Sequence, residues 1–248
     1  HFESRSYNDA RLVLEKLAAT STNPSRAQAA WLLAAQSAAL VQTPQSRQEA
    51  LILFKKASES DSPLASVARL EMARLMIDMN QAEEAVNLLR PWFSSLQKND
   101  PIQQTYGLLL GDALQALSLT RSDALADALG IYHQLLANTD KKSSHFNRLQ
   151  YLRGRILEQV PDKPDSPGLN EQEALRAYYS VLETSEMPTE WNYFELCGFR
   201  ALTLCEKAQR WPAAIACARK IASFNGPRAD EAKQRAEQIR LKNMIWED

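Results

Sequence analysis

The chain has 248 residues, 45% of them hydrophobic and 24% charged, which is enough apolar material for a large buried core. Lys and Arg number 29 against 30 Asp and Glu, so the net charge is −1, without the basic excess of proteins that grip phosphate backbones. Only 7 Gly stand against 35 Ala, a balance that favours helix.

The longest apolar stretch, Ala29 to Val41, is interrupted by Gln36 and Ser37 and falls short of the roughly 20 residues needed to cross a bilayer. No signal-peptide pattern opens the chain, and residue 1 is His rather than Met, as in a processed or excised piece of a longer chain. Cys197, Cys205 and Cys217 form no CxxC and are expected to be small buried thiols.

Pro24, Pro44, Pro63, Pro101, Pro188, Pro212 and Pro227 mark helix boundaries. Between them the apolar periodicity predicts helices near 6–20, 25–41, 46–60, 63–79, 81–97 and 101–118. It continues with 122–138, 144–160, 170–185, 189–208, 211–224 and 228–246. Ser46, with Glu49 three residues on, reads as a capping box, and Ser122 and Asn170 read as N-caps. Pro91 either kinks the fifth helix or ends it at Arg90. Residues 161–170, with three prolines and a glycine, form the one long loop, read as an insertion between two helices of one unit. No segment alternates with period two for long, so no strand is expected.

Alternate helices carry a repeated triplet at i, i+4 and i+7, one face of a helix. The triplets are Ala10, Leu14, Leu17; Ala50, Phe54, Ala57; Ala85, Leu89, Trp92; Ala128, Tyr132, Leu135; and Ala174, Tyr178, Val181. A sixth is Ala214, Ala218, Ile221, or the same pattern one residue earlier. The helices between them carry a large residue, a small one, and a large one three later: Leu110-Gly111-x2-Leu114, Arg153-Gly154-x2-Leu157 and Met72-Ala73-x2-Met76. Ala38 with Val41 and Ala201 with Leu204 are weaker copies.

These residues resemble the tetratricopeptide repeat, whose signature runs W-x2-L-G-x2-Y in the first helix and A-x3-F in the second. Ala50-x3-Phe54, Ala128-x3-Tyr132 and Ala174-x3-Tyr178 fit the second half, and Leu110-Gly111-x2-Leu114 fits the first with Leu in place of Tyr. The anchor alanines are 35 to 46 residues apart, longer than the family's 34, and the early tryptophan is missing from most units. The resemblance implies an all-α, right-handed α-solenoid of about five and a half antiparallel helix pairs across 1–248 as one superhelical domain. The series opens on a helix of the second type, and the charged segment 228–248, with its thin stripe of Ala232, Ala236 and Ile239, reads as a C-terminal capping helix.

A search for chemistry returns little. His1, His133 and His145 have no second ligand at metal spacing, and neither a Gly-rich phosphate loop nor GxSxG occurs. Glu83-Glu84 and Asp230-Glu231 read as solvated helix faces, and Glu195 and Glu206 flank cysteines on one helix that lacks a histidine partner. A local basic cluster comprises Lys141, Lys142, Arg148, Arg153 and Arg155 with Tyr151; Arg148, Tyr151 and Arg155 share one helix face, and Arg153 lies elsewhere. It reads as a solvated face or as a docking surface for an acidic peptide or nucleic acid.

In the family that the chain resembles, first helices line a concave surface where partners dock. Counted from the small residue of each first helix, the groove positions are Val67, Leu70, Arg74 and Ile77; then Thr105, Leu108, Asp112 and Gln115; then Arg148, Tyr151, Arg155 and Glu158. The resemblance implies a non-catalytic scaffold that binds a protein or peptide there, with no cofactor, metal or nucleic acid, as a monomer or with weak self-association. Arg74, Asp112, Gln115, Arg148, Tyr151, Arg155 and Glu158 are the expected partner-binding residues. The divergence of the repeats leads us to expect a bacterial protein, in a periplasmic or cell-envelope assembly rather than the cytoplasm. Two other readings stand beside this one: a regulatory or substrate-recruiting module of a larger enzyme, and a structural repeat whose N-terminal end packs on another copy.

Overall fold

A computed structural model describes residues 2–245 except 61, 98, 99, 163, 185 and 189, with side chains described except at 2–5, 101 and 144. Among the described residues there are twelve helices and no strand. They are α1 (Phe2–Thr20), α2 (Pro24–Leu40), α3 (Pro44–Ala57), α4 (Pro63–Asp78), α5 (Ala82–Ser95) and α6 (Pro101–Leu117). The rest are α7 (Ala124–Leu136), α8 (Ser144–Leu157), α9 (Leu169–Leu182), α10 (Trp191–Lys207), α11 (Trp211–Ala222) and α12 (Ala229–Lys242). Three expected helix ends, at 185, 189 and 246, lie outside the described residues.

The prolines act at helix starts. Pro24, Pro44, Pro63 and Pro101 are the first helical residues, where the missing N–H removes no bond and the fixed φ suits the helix. This moves one expected cap. With Pro44 opening α3, the N-cap is Thr43 rather than Ser46: the Thr43 hydroxyl accepts the Ser46 N–H at 3.1 Å, and the Ser46 hydroxyl accepts the Thr43 N–H at 3.0 Å. Asn170 is not a cap either. Gly168 occupies the N-cap with φ +77, and the Asp162 carboxylate, from the long loop, accepts the N–H groups of Gly168 and Asn170 at 2.6 and 2.8 Å. The Asn170 amide instead donates to the carbonyls of Val160 and Pro161, holding the loop against the helix start. Where Ser122 was the expected cap, α7 begins at Ala124. Helix α5 runs through Pro91 to Ser95 rather than ending at Arg90.

With so few glycines, several helix ends use other residues in the left-handed conformation: Gln42, Asn80, Gln209 and Asn225 have φ between 53 and 60. After Asn80 the Gln81 N–H reaches back to the Met76 carbonyl at 2.8 Å, and after Gln209 the Arg210 N–H reaches the Cys205 carbonyl at 2.8 Å. These bonds satisfy the last carbonyls and reverse the chain into the next helix.

The chain comprises two compact units, His1–Ala124 and Leu125–Asp248. In the first, each helix from α1 to α6 packs on the next, and α2 also touches α4, as α4 touches α6. This is a solenoid-like stack of antiparallel hairpins. Its core joins Ala50, Leu53, Phe54 and Ala57 of α3 to Leu32, Ala34, Ala35 and Ala38 of α2 and Ala68 of α4. Arg69 is a buried charge with a structural role: its guanidinium donates to the carbonyls of Ser58 and Ser60, each at 2.8 Å, and lies 3.5 Å from the centre of the Trp92 ring. The Tyr106 hydroxyl, from α6, reaches the Ser66 carbonyl of α4 at 3.3 Å. Gly111 is buried.

In the second unit each helix from α8 to α12 packs on the next, with α8 also on α10 and α9 on α11. Leu129 and Leu136 of α7 pack against a core containing Phe146, Leu157, Tyr178, Val181, Phe194 and Ala201. Glycine allows close approach at three places here, one of them Gly226, where a Cβ would lie 2.3 Å from the Trp191 ring. A Cβ on Gly154 would lie 2.5 Å from the Tyr178 ring, and one on Gly198 would lie 2.5 Å from Ile221. Helix α12 buries Ala229, Ala232 and Ile239 and leaves its charged face outward. It is tied to α10 by Arg235–Glu206 at 2.7 Å and by the Arg228 N–H to Glu195 at 2.8 Å.

The repeated triplets are the core of both stacks. Ala50-Phe54-Ala57, Ala128-Tyr132-Leu135 and Ala174-Tyr178-Val181 are buried throughout. Ala214, Ala218 and Ile221 are all fully buried, which selects that register for the sixth. Trp92 is half-buried under Arg69, and Ala10, Leu14 and Leu17 of α1 are half-buried.

Candidate functional site

Within the first unit α2 touches α4 and α4 touches α6, and in the second α8 touches α10; α2, α4, α8 and α10 each keep a stripe toward solvent, whereas no described residue of α6 is exposed. On α2 this stripe runs through Arg26, Leu33, Gln36 and Leu40, with Leu33 and Leu40 exposed. On α4 it runs through Val67, Arg74 and Asp78, all exposed, with Ile77 half-buried. On α8 it runs through His145, Arg148, Leu152 and Arg155, and on α10 through Asn192, Leu196 and Thr203, whereas Phe199 packs against Ile221, Ala222 and Ala232 beneath the Arg228 guanidinium. Aliphatic side chains and cations thus share the outward faces of α2, α4 and α8.

The expected groove residues divide into two groups. Arg74 is exposed and paired with Glu71 on its own helix at 2.5 Å. Thr105, Asp112 and Gln115 of α6 and Arg148 and Arg155 of α8 are half-buried. Leu70 and Leu108 are buried and belong to the core.

Tyr151 and Glu158 are turned toward neighbouring helices. The Tyr151 ring lies 5.6 Å from that of Tyr193 on α10 and 6.4 Å from that of Tyr178 on α9, centre to centre. Glu158 caps the end of α8, and its carboxylate accepts the Tyr178 hydroxyl and both Nε (3.1 Å) and Nη2 of Arg200. Its side chain is 13% exposed, so this carboxylate ties α8, α9 and α10 together before anything docks. Burial and then the Glu158 hydrogen bond push the Tyr178 phenol well above its ordinary value, keeping it a donor. Arg200, which no groove rule singled out, therefore enters this face as the partner of Glu158.

The basic cluster separates by partner. Arg153 faces away from the stripe and pairs with Glu173 of α9 at 3.1 Å. Lys142 pairs with Glu186 at 2.8 Å, and with Lys141 it lines a cleft of about 380 Å³ beside Phe146, Asn147, Val181 and Met187. Arg148 and Arg155 stay on the α8 stripe.

All three cysteines are buried and unbridged. The Tyr179 hydroxyl lies 3.0 Å from the Cys205 sulfur. Burial, followed by the neighbouring Cys205, pushes the Cys217 thiol up to about 12, and burial raises Cys197 further. Thiols held protonated in this way are poor nucleophiles at neutral pH. Among the described residues no three His, Cys, Asp or Glu side chains gather as metal ligands, and no helix is long and apolar enough to cross a membrane.

Leu33 and Leu40 were not among the expected groove residues. Counting from Ala38 as the small residue of α2 selects Leu32 and Ala35, which are buried; the outward stripe lies one residue later. One residue is a rotation of about 100° around a helix, enough to exchange core for surface. Compared with family models, curated proteins and solved structures, the chain matches none.

Proposed function

We propose that the protein is a non-catalytic scaffold of the tetratricopeptide-like kind, binding a protein or peptide along the outward stripes of its first helices. The observation that carries this reading is the packing of first helix on first helix within each unit, α2 on α4, α4 on α6, and α8 on α10. It sets successive stripes side by side on a rigid frame. An extended partner can then contact several helices at once, with no single deep pocket required.

The side chains on these stripes suit such a role. Arg148 and Arg155 combine large contact area with directional hydrogen bonding. Leu33, Leu40 and Val67 offer apolar contact on the first unit. Within this reading the buried thiols of Cys197 and Cys217 and the Glu158 carboxylate serve packing between helices.

The test is quantitative capture on the immobilised chain, comparing wild type with Leu33→Ser/Leu40→Ser, with Arg148→Ala/Arg155→Ala, and with Arg176→Ala on a second helix. A partner on the first helices is retained by the Arg176 variant and lost, at physiological salt, by at least one of the others. Equal retention by all four places the site elsewhere.

A further inference from the structure

Helix α1 carries a second, independent surface, and its occupant can be read from its symmetry. One side of α1 is engaged: Leu14 packs on the core of the first unit, and Arg11 pairs with Glu49 of α3 at 2.6 Å. The other side exposes Ser6, Asp9, Leu12, Val13, Lys16 and Ala19. At about 100° per residue, Asp9, Leu12, Val13 and Lys16 fall within a single arc of roughly 100°, with Ser6 and Ala19 at its margins.

Leu12 is 56% exposed and Val13 is 68% exposed. They are the only sequence-adjacent pair among the exposed large hydrophobic residues of the described chain; the others stand singly, as is normal for a surface. Neither the Asp9 carboxylate nor the Lys16 ammonium has an ion pair or hydrogen bond among the described residues, although the other face of the same helix carries the Arg11–Glu15 and Arg11–Glu49 pairs.

The stripe is complementary to itself. Asp9 and Lys16 sit symmetrically about the midpoint between Leu12 and Val13, as do Ser6 and Ala19. When two such helices cross antiparallel at that midpoint, each Asp9 meets the Lys16 of the other copy. Leu12 and Val13 then meet Val13 and Leu12, and the small Ser6 and Ala19 allow close approach. A parallel pairing sets Asp9 against Asp9 and Lys16 against Lys16, which like-charge repulsion opposes. A two-fold contact of one patch with itself is the commonest oligomeric interface.

We infer that α1 is a homodimerisation helix that pairs antiparallel with α1 of a second copy, with Leu12 and Val13 at the centre and reciprocal Asp9–Lys16 ion pairs at the ends. One helix face buries less than the 1,200–2,000 Å² or so typical of stable complexes, so the dimer is weak and forms in the micromolar range or above. The surface is distinct from the first-helix stripes and does not depend on their function.

Sedimentation velocity across a concentration series, from a few micromolar to several hundred, tests this on the chain as it stands. Wild type should shift from monomer to dimer. Leu12→Ser/Val13→Ser should remain monomeric. Asp9→Lys or Lys16→Asp alone should raise the dissociation constant about 10-fold, because each change acts twice across a two-fold axis. The exchange Asp9→Lys/Lys16→Asp should restore it to within about 3-fold of wild type, a rescue that only the antiparallel register supplies. All four positions are exposed, and unchanged helical circular dichroism confirms folding of each variant. Monomer at every concentration, a dimer indifferent to the Leu12/Val13 change, or a double exchange no better than the single ones would overturn the proposal.

Discussion

Replacing Gly154 by alanine sets two effects of known size against each other. In an isolated helix the change gains about 1 kcal/mol, because alanine loses less backbone entropy than glycine. Here the new methyl would lie 2.5 Å from Cε1 and Cζ of Tyr178 and 2.9 Å from its hydroxyl. That ring has no room to retreat: it is fully buried, and its hydroxyl is held by Glu158, itself fixed by Arg200. Overpacking of this kind costs about 1–3 kcal/mol, so the net effect should be a loss of about 1 kcal/mol. The background can be changed to isolate the clash. In a Tyr178→Leu protein, destabilised on its own account, the obstructing ring atoms are gone and the same Gly154→Ala change should become stabilising by about 1 kcal/mol. Urea melts of the four proteins give both values, and the coupling should be about 2 kcal/mol. A Gly154→Ala protein as stable as wild type or more so, or an equal effect in both backgrounds, would refute the close approach of α8 and α9.

Other changes probe other parts of the fold. Gly111→Leu should destabilise the first unit by about 1–3 kcal/mol or more, since Gly111 is buried among the helices of that stack; an unchanged urea midpoint would place it at the surface. Asp162→Ala should cost about 1 kcal/mol by removing the acceptor for the Gly168 and Asn170 N–H groups, and faster amide exchange at those two positions would identify the cause. Gln209→Gly should stabilise by about 0.5–1 kcal/mol, read as a raised melting temperature, because φ +57 is strained for any residue with a Cβ. Alkaline pH should destabilise. Cys217 ionises near 8.5 when unfolded but is pushed up to about 12 by burial when folded, so its contribution is complete below about pH 8 and is lost as pH rises toward 12. Each such group adds at most about 1.4 kcal/mol per pH unit, and Cys217→Ser should flatten the decline seen in melts between pH 9 and 11.

Much of the helical architecture was legible because proline and alanine carry local instructions. A proline at the first helical position sets a boundary that needs no tertiary information, and Pro24, Pro44, Pro63 and Pro101 each do so. The Ala-x3-large triplets were legible because core contact repeats with helical period, and Tyr132, Tyr178 and Phe54 are indeed buried. Features that depend on distant residues were not. The cap of α9 comes from Asp162, six and eight residues before the amides it binds, beyond the reach of a three-residue capping rule. Glu158 looked like a groove residue because its spacing is right, but its orientation is decided by Arg200, 42 residues away. The outward stripe of α2 is not legible in the sequence, because Ala38 and Ala39 serve equally well as its small residue and in an alanine-rich helix composition does not choose between them.

The central claim, that partners dock on first-helix stripes, is tested most directly by amide hydrogen exchange of the chain alone and in complex with a captured partner. The account predicts protection on binding in α2 and α4 or in α8 and α10, around Leu33, Val67, Arg148 and Arg155, with α3, α5, α9 and α11 unchanged. Protection confined to those second helices, or to the charged face of α12, would contradict it.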